Sequence, residues 1–212
     1  MPVITISRSY GSGGSEVAAR VARSLGWSLL DNAIIEAVAE RLGATAADVE
    51  ARDERVPSLV ERLADAMALG SPQMLPSVAG GSLPPDEARL LDMTHRIMEE
   101  AVAHGPVVVV GRGAQAALAS HSDALHVFCD APREACVARV MTRLGAGEHE
   151  ARRAIDDTNR QREQYARRHF QRLWRSPETY HLCVNTGLLG IDGAADAIVT
   201  LARDRFETAV GS

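Results

Sequence analysis

Residues 8 to 15 read Arg8-Ser9-Tyr10-Gly11-Ser12-Gly13-Gly14-Ser15, between an apolar run, VITIS at 3 to 7, and the start of a helical pattern. Glycines placed after a strand let successive backbone N–H groups point at an anion, and the helix that follows adds the positive end of its dipole. Against the phosphate-loop template G-x-x-x-x-G-K-[ST], the final glycine and the hydroxyl are in place at Gly13 and Ser15. The first glycine and the lysine are not: Arg8 and Gly14 stand there. The same turn also reads as a plain strand-to-helix connection with a serine N-cap. A third reading uses Gly11-Ser12-Gly13 as the opening of a dinucleotide fingerprint, with Asp31 about 20 residues on as the ribose acid. Its third glycine, however, falls on Glu16, where close helix-strand packing needs a small residue.

The chain contains no lysine, so all 23 of its basic residues are arginine. Any cation it places on a phosphate is therefore a guanidinium, permanently charged and able to grip two oxygens. Arginine is densest between 147 and 178, at Arg152, Arg153, Arg160, Arg162, Arg167, Arg168, Arg172 and Arg175. Many such residues merely solvate a helix face. Here carboxylates thin out after Glu163, which leaves an unbalanced positive stretch. Asp130, at the end of the fourth apolar run, is a candidate for magnesium or for a helix cap near Pro132. His149 has no second histidine at zinc-helix spacing and reads as a surface residue. Trp174 reads as an anchor for the end of the arginine-rich segment, and Tyr165 and Tyr180 as packing or base-stacking rings.

At 212 residues and 46% hydrophobic content the chain can bury one full-sized core. A net charge of −5 argues against a general nucleic-acid binder, whose affinity comes from neutralising phosphates. Cys129, Cys136 and Cys183 lack metal-ligand spacing and cannot all pair, so they read as free thiols in a reducing compartment. No signal peptide or membrane-length apolar run is visible, which predicts a cytoplasmic protein without a membrane partner.

Short β-branched runs alternate with helical patterns, the signature of a parallel sheet covered on both faces. VITIS (3 to 7), WSLL (27 to 30), PVVVV (106 to 110), ALHVFC (124 to 129) and YHLCV (180 to 184) predict five strands. Val17, Val21, Ala22 and Leu25 recur at helical spacing after the first, and Ile198, Leu201 and Ala202 repeat the pattern near the end. Two excursions interrupt the rhythm. Residues 32 to 104 carry helical patterns at 32 to 42, 57 to 68 and 86 to 104, with a Gly/Pro/Ser-rich loop at 70 to 85. Residues 147 to 178 are the arginine-rich one.

Four colinear stretches carry a resemblance: ITISRSYGSGG at 4 to 14, LLDNAII at 29 to 35, VVVVGRGA at 107 to 114, and NRQREQY with the following W-x-x-P-E-T-Y-H-L-C-V-N-T at 159 to 186. Together they resemble the cytidylate kinase-like family, a branch of the phosphate-loop nucleoside monophosphate kinases, from about residue 3 to residue 200. The resemblance implies a three-layer α/β phosphate-loop kinase fold in a single domain. Its core would be 1–31, 105–146 and 179–212, its monophosphate-binding excursion 32–104 and its lid 147–178. In this branch the loop commonly reads SR-x-YGSGG, so the missing lysine resembles a family feature.

The activity implied is phosphoryl transfer from ATP, with Mg²⁺, to CMP or dCMP. Gly11, Ser12, Gly13, Gly14 and Ser15 would cradle the β-phosphate, with Ser15 and Asp130 as metal candidates. Arg8 and the lid residues Arg160 and Arg162 would replace the lysine. Asp31, Arg112 and Arg139 match residues that hold the acceptor. Asn185-Thr186 departs from the family's Asp-Ser or Asp-Thr, and Gly111 stands where an aspartate for magnesium is expected. A catalytically weak nucleotide-binding or regulatory protein of the same fold is the alternative. Apolar stretches between 57 and 104 could support a homodimer.

Overall fold

The computed structural model describes residues 1–31, 87–111 and 113–207. The expected helices at 32 to 42 and 57 to 68, the loop at 70 to 85 and Arg112 lie outside the described residues. In chain order the elements are β1 (Val3–Arg8), α1 (Gly14–Leu25), β2 (Ser28–Leu30), α2 (Glu87–His104), β3 (Val107–Val110), α3 (Ala114–Ala117) and β4 (Ala124–Asp130). They continue with α4 (Arg133–Leu144), α5 (Glu148–Phe170), a 3-10 turn at Pro177–Thr179, β5 (Leu182–Asn185) and α6 (Thr186–Glu207). All five expected strands form. The fifth starts two residues late because Tyr180 N–H closes the 3-10 turn onto the Pro177 carbonyl.

The sheet order is β2-β3-β1-β4-β5. β1 lies parallel to β3, with Val3 opposite Val107, and parallel to β4, with Arg8 opposite Cys129. β4 lies parallel to β5 and brings Asp130 opposite Asn185. This order corrects the dinucleotide reading. That fold sets its second strand beside the first, so that the acid at the second strand's end reaches the ribose. Here β3 takes that place, and Asp31, the residue after β2, follows an outer strand.

The chain divides into two compact units, residues 2–29 with 106–212, and residues 30–105 with Met1. In the first, Ile4 and Ile6 of β1, Val108 and Val110 of β3, and Leu125, Val127 and Cys129 of β4 form one apolar sheet face. Val17, Ala18, Val21 and Ala22 of α1 and Ala194, Ala195, Ile198 and Ala202 of α6 cover it. The i, i+1, i+4, i+5 spacing of the α1 set is a helical stripe, which is why this segment packs as a helix. Gly26 ends α1 in the left-handed region (φ 68°), its N–H returning to the Ala22 and Arg23 carbonyls. A second cluster joins Cys136, Val137 and Val140 of α4 to Ala151 and Ile155 of α5, and Tyr10 packs against it. In the other unit, α2 buries Thr94, Ile97, Met98, Ala101 and Val102, again one helical stripe.

Candidate active site

The loop between β1 and α1 is bent by Gly11 (φ 83°) and Gly13 (φ 78°), both in the left-handed region that side chains disfavour. A Cβ on Gly11 would lie 2.8 Å from the Cys136 carbonyl oxygen, so the bend is also packed hard against α4. Ser9 and Ser12 are buried inside the loop. Ser9 N–H donates to the Cys129 carbonyl (3.0 Å), and Ser12 Oγ donates to the Ser9 carbonyl (2.9 Å). Ser15, in the first turn of α1, exposes its hydroxyl to solvent.

Arg139 of α4 binds the back of this loop. Its Nη1 donates to the Gly11 (3.4 Å) and Ser12 (3.2 Å) carbonyls and its Nη2 to the Thr186 carbonyl (3.1 Å). Thr186 Oγ1, fully buried, also donates to the Ser12 carbonyl. These bonds occupy the Gly11 and Ser12 carbonyl oxygens, while Ser12 N–H closes a turn onto the Ser9 carbonyl (3.2 Å). The structure therefore engages the Arg139 guanidinium behind the loop, on backbone oxygens. Sequence reasoning missed Thr186 as its partner, because the two are brought together only by the fold.

The arginine-rich segment meets the loop through α5 and the residues after it. Asn159 Oδ1 accepts the Tyr10 N–H (2.8 Å), Arg162 Nη1 donates to the Arg8 carbonyl, and Arg175 Nη2 donates to Ser9 Oγ (2.9 Å). Arg143 and Arg162 also lie over the Tyr10 ring, at 4.6 and 5.7 Å. Burial, reinforced by the Arg8 and Arg143 charges, pushes the Arg162 guanidinium down to about 9. Among the described residues, no carboxylate pairs with it. A half-buried cation in that position is stabilised by the Tyr10 ring and by any negative charge brought near it.

Arg160 faces elsewhere. Residues two apart on a helix project about 200° from one another, and Arg160 is 65% exposed beside Asp157 (3.5 Å). The structure thus brings Arg8 and Arg162 together with Gly11 to Ser15, and leaves Arg160 on the solvent face. Arg152 is likewise paired, with Glu134 and Glu148. Tyr10, Asn159 and Arg175 are contacts that sequence reasoning missed. Tyr10 was quoted only as part of the loop, and Arg175 only as one arginine of many.

Asp130 ends β4 half-buried, its Oδ1 accepting the neighbouring Ala131 N–H (2.9 Å). No group of three or more potential metal ligands forms among the described residues. A magnesium ion held by one hydroxyl and by substrate phosphates needs no such cage, and Ser15 fits that style of binding. Asn185 Oδ1 accepts the Gly187 (3.0 Å) and Leu188 (3.2 Å) N–H groups, so it caps the first turn of α6, which a kink at Gly190 (φ 69°) separates from the rest of the helix. Asp31 belongs to the other unit and is half-buried where β2 ends. Trp174 and Tyr180 both pack on Phe128, at 5.5 and 5.1 Å, and Tyr180 donates to the Trp174 carbonyl (2.7 Å). That aromatic group anchors the end of the arginine-rich segment.

A five-stranded sheet in this order, with a glycine bend between β1 and α1, defines the phosphate-loop kinase fold. The chain belongs to the cytidylate kinase-like family, whose model matches residues 3–188. Among solved structures, an uncharacterized protein from Eubacterium ventriosum is similar at 20% identity and a TM-score of 0.69, covering 97% of this chain and 100% of that one. A Thermus thermophilus protein aligns at 21% identity and a TM-score of 0.51, over 94% of this chain and 97% of that one. Shikimate kinase from Bacteroides thetaiotaomicron aligns at 14% and 0.50, over 94% and 97%. Likeness at these identities establishes a shared fold. No curated protein sequence matches the chain. Among the described residues no helix is long and apolar enough to cross a membrane. Family and fold together support a phosphotransferase.

Proposed function

We propose that the chain transfers the γ-phosphate of ATP to a nucleoside monophosphate, CMP or dCMP. The observation that carries this reading is the half-buried Arg162 guanidinium, which donates to the Arg8 carbonyl where β1 runs into the glycine bend and has no carboxylate partner among the described residues. A polyphosphate supplies the charge that the site lacks. The loop N–H groups hold the β-phosphate, and Arg8 and Arg162 neutralise the oxygens of the transferring group. The acceptor's own phosphate oxygen attacks, so no side-chain nucleophile is needed. Were Mg²⁺ bound, the Ser15 hydroxyl, with Asp130 as the second candidate, would hold it, and it would supply positive charge to the phosphates.

Arg139 and Thr186 keep the loop's carbonyls turned away from the nucleotide. The lid, closing through α5, excludes water from the transferring group, which would otherwise be hydrolysed. Arg112 and Asp31, with the excursion 32–104, are assigned to the acceptor. The CMP preference is carried over from the family's description.

A coupled assay of ADP release with CMP, dCMP, UMP, AMP and shikimate tests the proposal. Turnover with CMP or dCMP above the others supports it, and turnover with shikimate alone refutes it. Tight ATP binding without turnover on any acceptor favours a nucleotide-binding protein, a reading that the missing lysine keeps open.

A further inference from the structure

The two departures of the loop from the phosphate-loop template lie against each other in space. A Cβ built on Gly14 would sit 2.5 Å from Arg8 Cβ and 3.0 Å from Arg8 Cγ. These atoms are the root of the Arg8 side chain, fixed by strand β1, and cannot swing aside as a chain end would. Gly14 has no left-handed backbone angle. Its lack of a side chain is thus not a demand of its own conformation, unlike those of Gly11 and Gly13. It is the nearness of Arg8, with Cys129 Cβ next at 3.1 Å, that excludes a side chain at position 14.

We propose that Arg8 and Gly14 are a reciprocal exchange: the loop cation has moved from the first turn of α1 to the end of β1, and each position permits the other. The template pairs glycine at the first position with lysine at the seventh. In this chain the pairing is reversed in kind: arginine stands at the first position, and glycine at the seventh makes way for its stem. A lysine cannot be added to this loop while Arg8 remains. The proposal deepens the polyphosphate reading by assigning the loop's cation to Arg8 and stating what that assignment requires of Gly14.

Two sets of variants test it. The steric half needs no nucleotide. Gly14→Ala should lower Tm by about 5 °C, whereas the same change in an Arg8→Gly background should cost little, because the two shortest contacts, to Arg8 Cβ and Cγ, are gone and Cys129 Cβ at 3.1 Å needs to yield only a few tenths of an ångström. Should Gly14→Ala fail to fold, recovery of folding in the R8G/G14A double variant supports the pairing. Equal effects of Gly14→Ala in the two backgrounds, or failure of both variants to fold, overturn it.

The charge half reads ATP affinity by calorimetry. Arg8→Gln, which keeps the Cβ and Cγ stem, and Arg8→Gly should each weaken ATP binding about 10- to 100-fold. R8G/G14K should bind at least about tenfold more tightly than R8G, since the ammonium now enters from the helix. ATP binding unchanged by Arg8→Gln, or no gain in R8G/G14K over R8G, overturns the exchange while leaving the phosphotransferase reading in place. A wild-type protein that binds no ATP at all instead overturns the phosphotransferase reading, and the assignment of Arg8 as loop cation falls with it.

Discussion

Arg162 differs from its arginine neighbours in burial and in partners. Arg152, Arg160 and Arg167 pair with carboxylates on or beside their own helix. Arg162 instead reaches across to the Arg8 carbonyl and is half-buried, with other guanidiniums nearby. A charge held that way contributes little to folding and can contribute much to binding an anion or a charged transition state. Under the proposed function, Arg162→Ala should lower kcat about 10³-fold or more while KM for ATP changes far less. Steady-state kinetics with the best acceptor check this, and an unchanged kcat removes Arg162 from the chemistry. The density of arginine in this segment was legible in the sequence. Which arginine turns inward was not, because that depends on helix phase relative to a loop some 150 residues away.

Helix ends illustrate how a change of residue type can preserve a job. Asn185 stands where an aspartate is usual among ordinary cytidylate kinases, and its Oδ1 accepts two N–H groups of α6. An amide oxygen caps a helix as well as a carboxylate does. Asn185→Ala should therefore destabilise the fold by about 1 kcal/mol, while Asn185→Asp should leave stability within about 0.5 kcal/mol. Urea unfolding of the two variants distinguishes them, and equal losses would show that the cap contributes nothing. At this scale the elements themselves were readable. Strands appeared where β-branched runs stood, and α1 and α6 where apolar residues recurred at helical spacing. The start of β5 was misjudged by two residues because Pro177 opens a 3-10 turn, a choice made by the turn's own closure rather than by β-propensity.

At the scale of the whole molecule, the pH dependence of stability runs through a buried histidine that composition alone would not single out. His126 lies in the middle of β4, 5% exposed, with its Nδ1 2.8 Å from Thr5 Oγ1 on β1 and its ring stacked 5.1 Å from His181. Burial first, then the charges of His181, Arg172, Arg205 and His121, push its pKa down to about 4. The folded protein thus keeps the ring neutral where the unfolded chain, titrating near 6.5, takes up a proton. Stability is full above about pH 6.5 and falls as the pH drops toward 4, by at most about 1.4 kcal/mol per pH unit from this residue. His181, also lowered by burial and by Arg205, adds to the slope with the same sign. Urea unfolding between pH 7.5 and about 4.5, on the wild type and on His126→Gln, checks this, with a shallower slope expected in the variant. A slope unchanged by the substitution would assign the acid sensitivity to other groups.

By itself the sequence determined the alternation of strands and helices, the glycine bend after the first strand, and the absence of an ammonium to place there. Each of these is written in neighbouring residues, whose types decide local backbone angles and which face is buried. Tertiary structure alone decided which strand lies beside β1, that Arg139 braces the loop from behind, that Arg162 turns inward while Arg160 turns out, and that Arg8 fills the space a side chain on Gly14 would need. Those outcomes rest on contacts between residues far apart in the chain, and such distances close only when the sheet assembles and its helices pack.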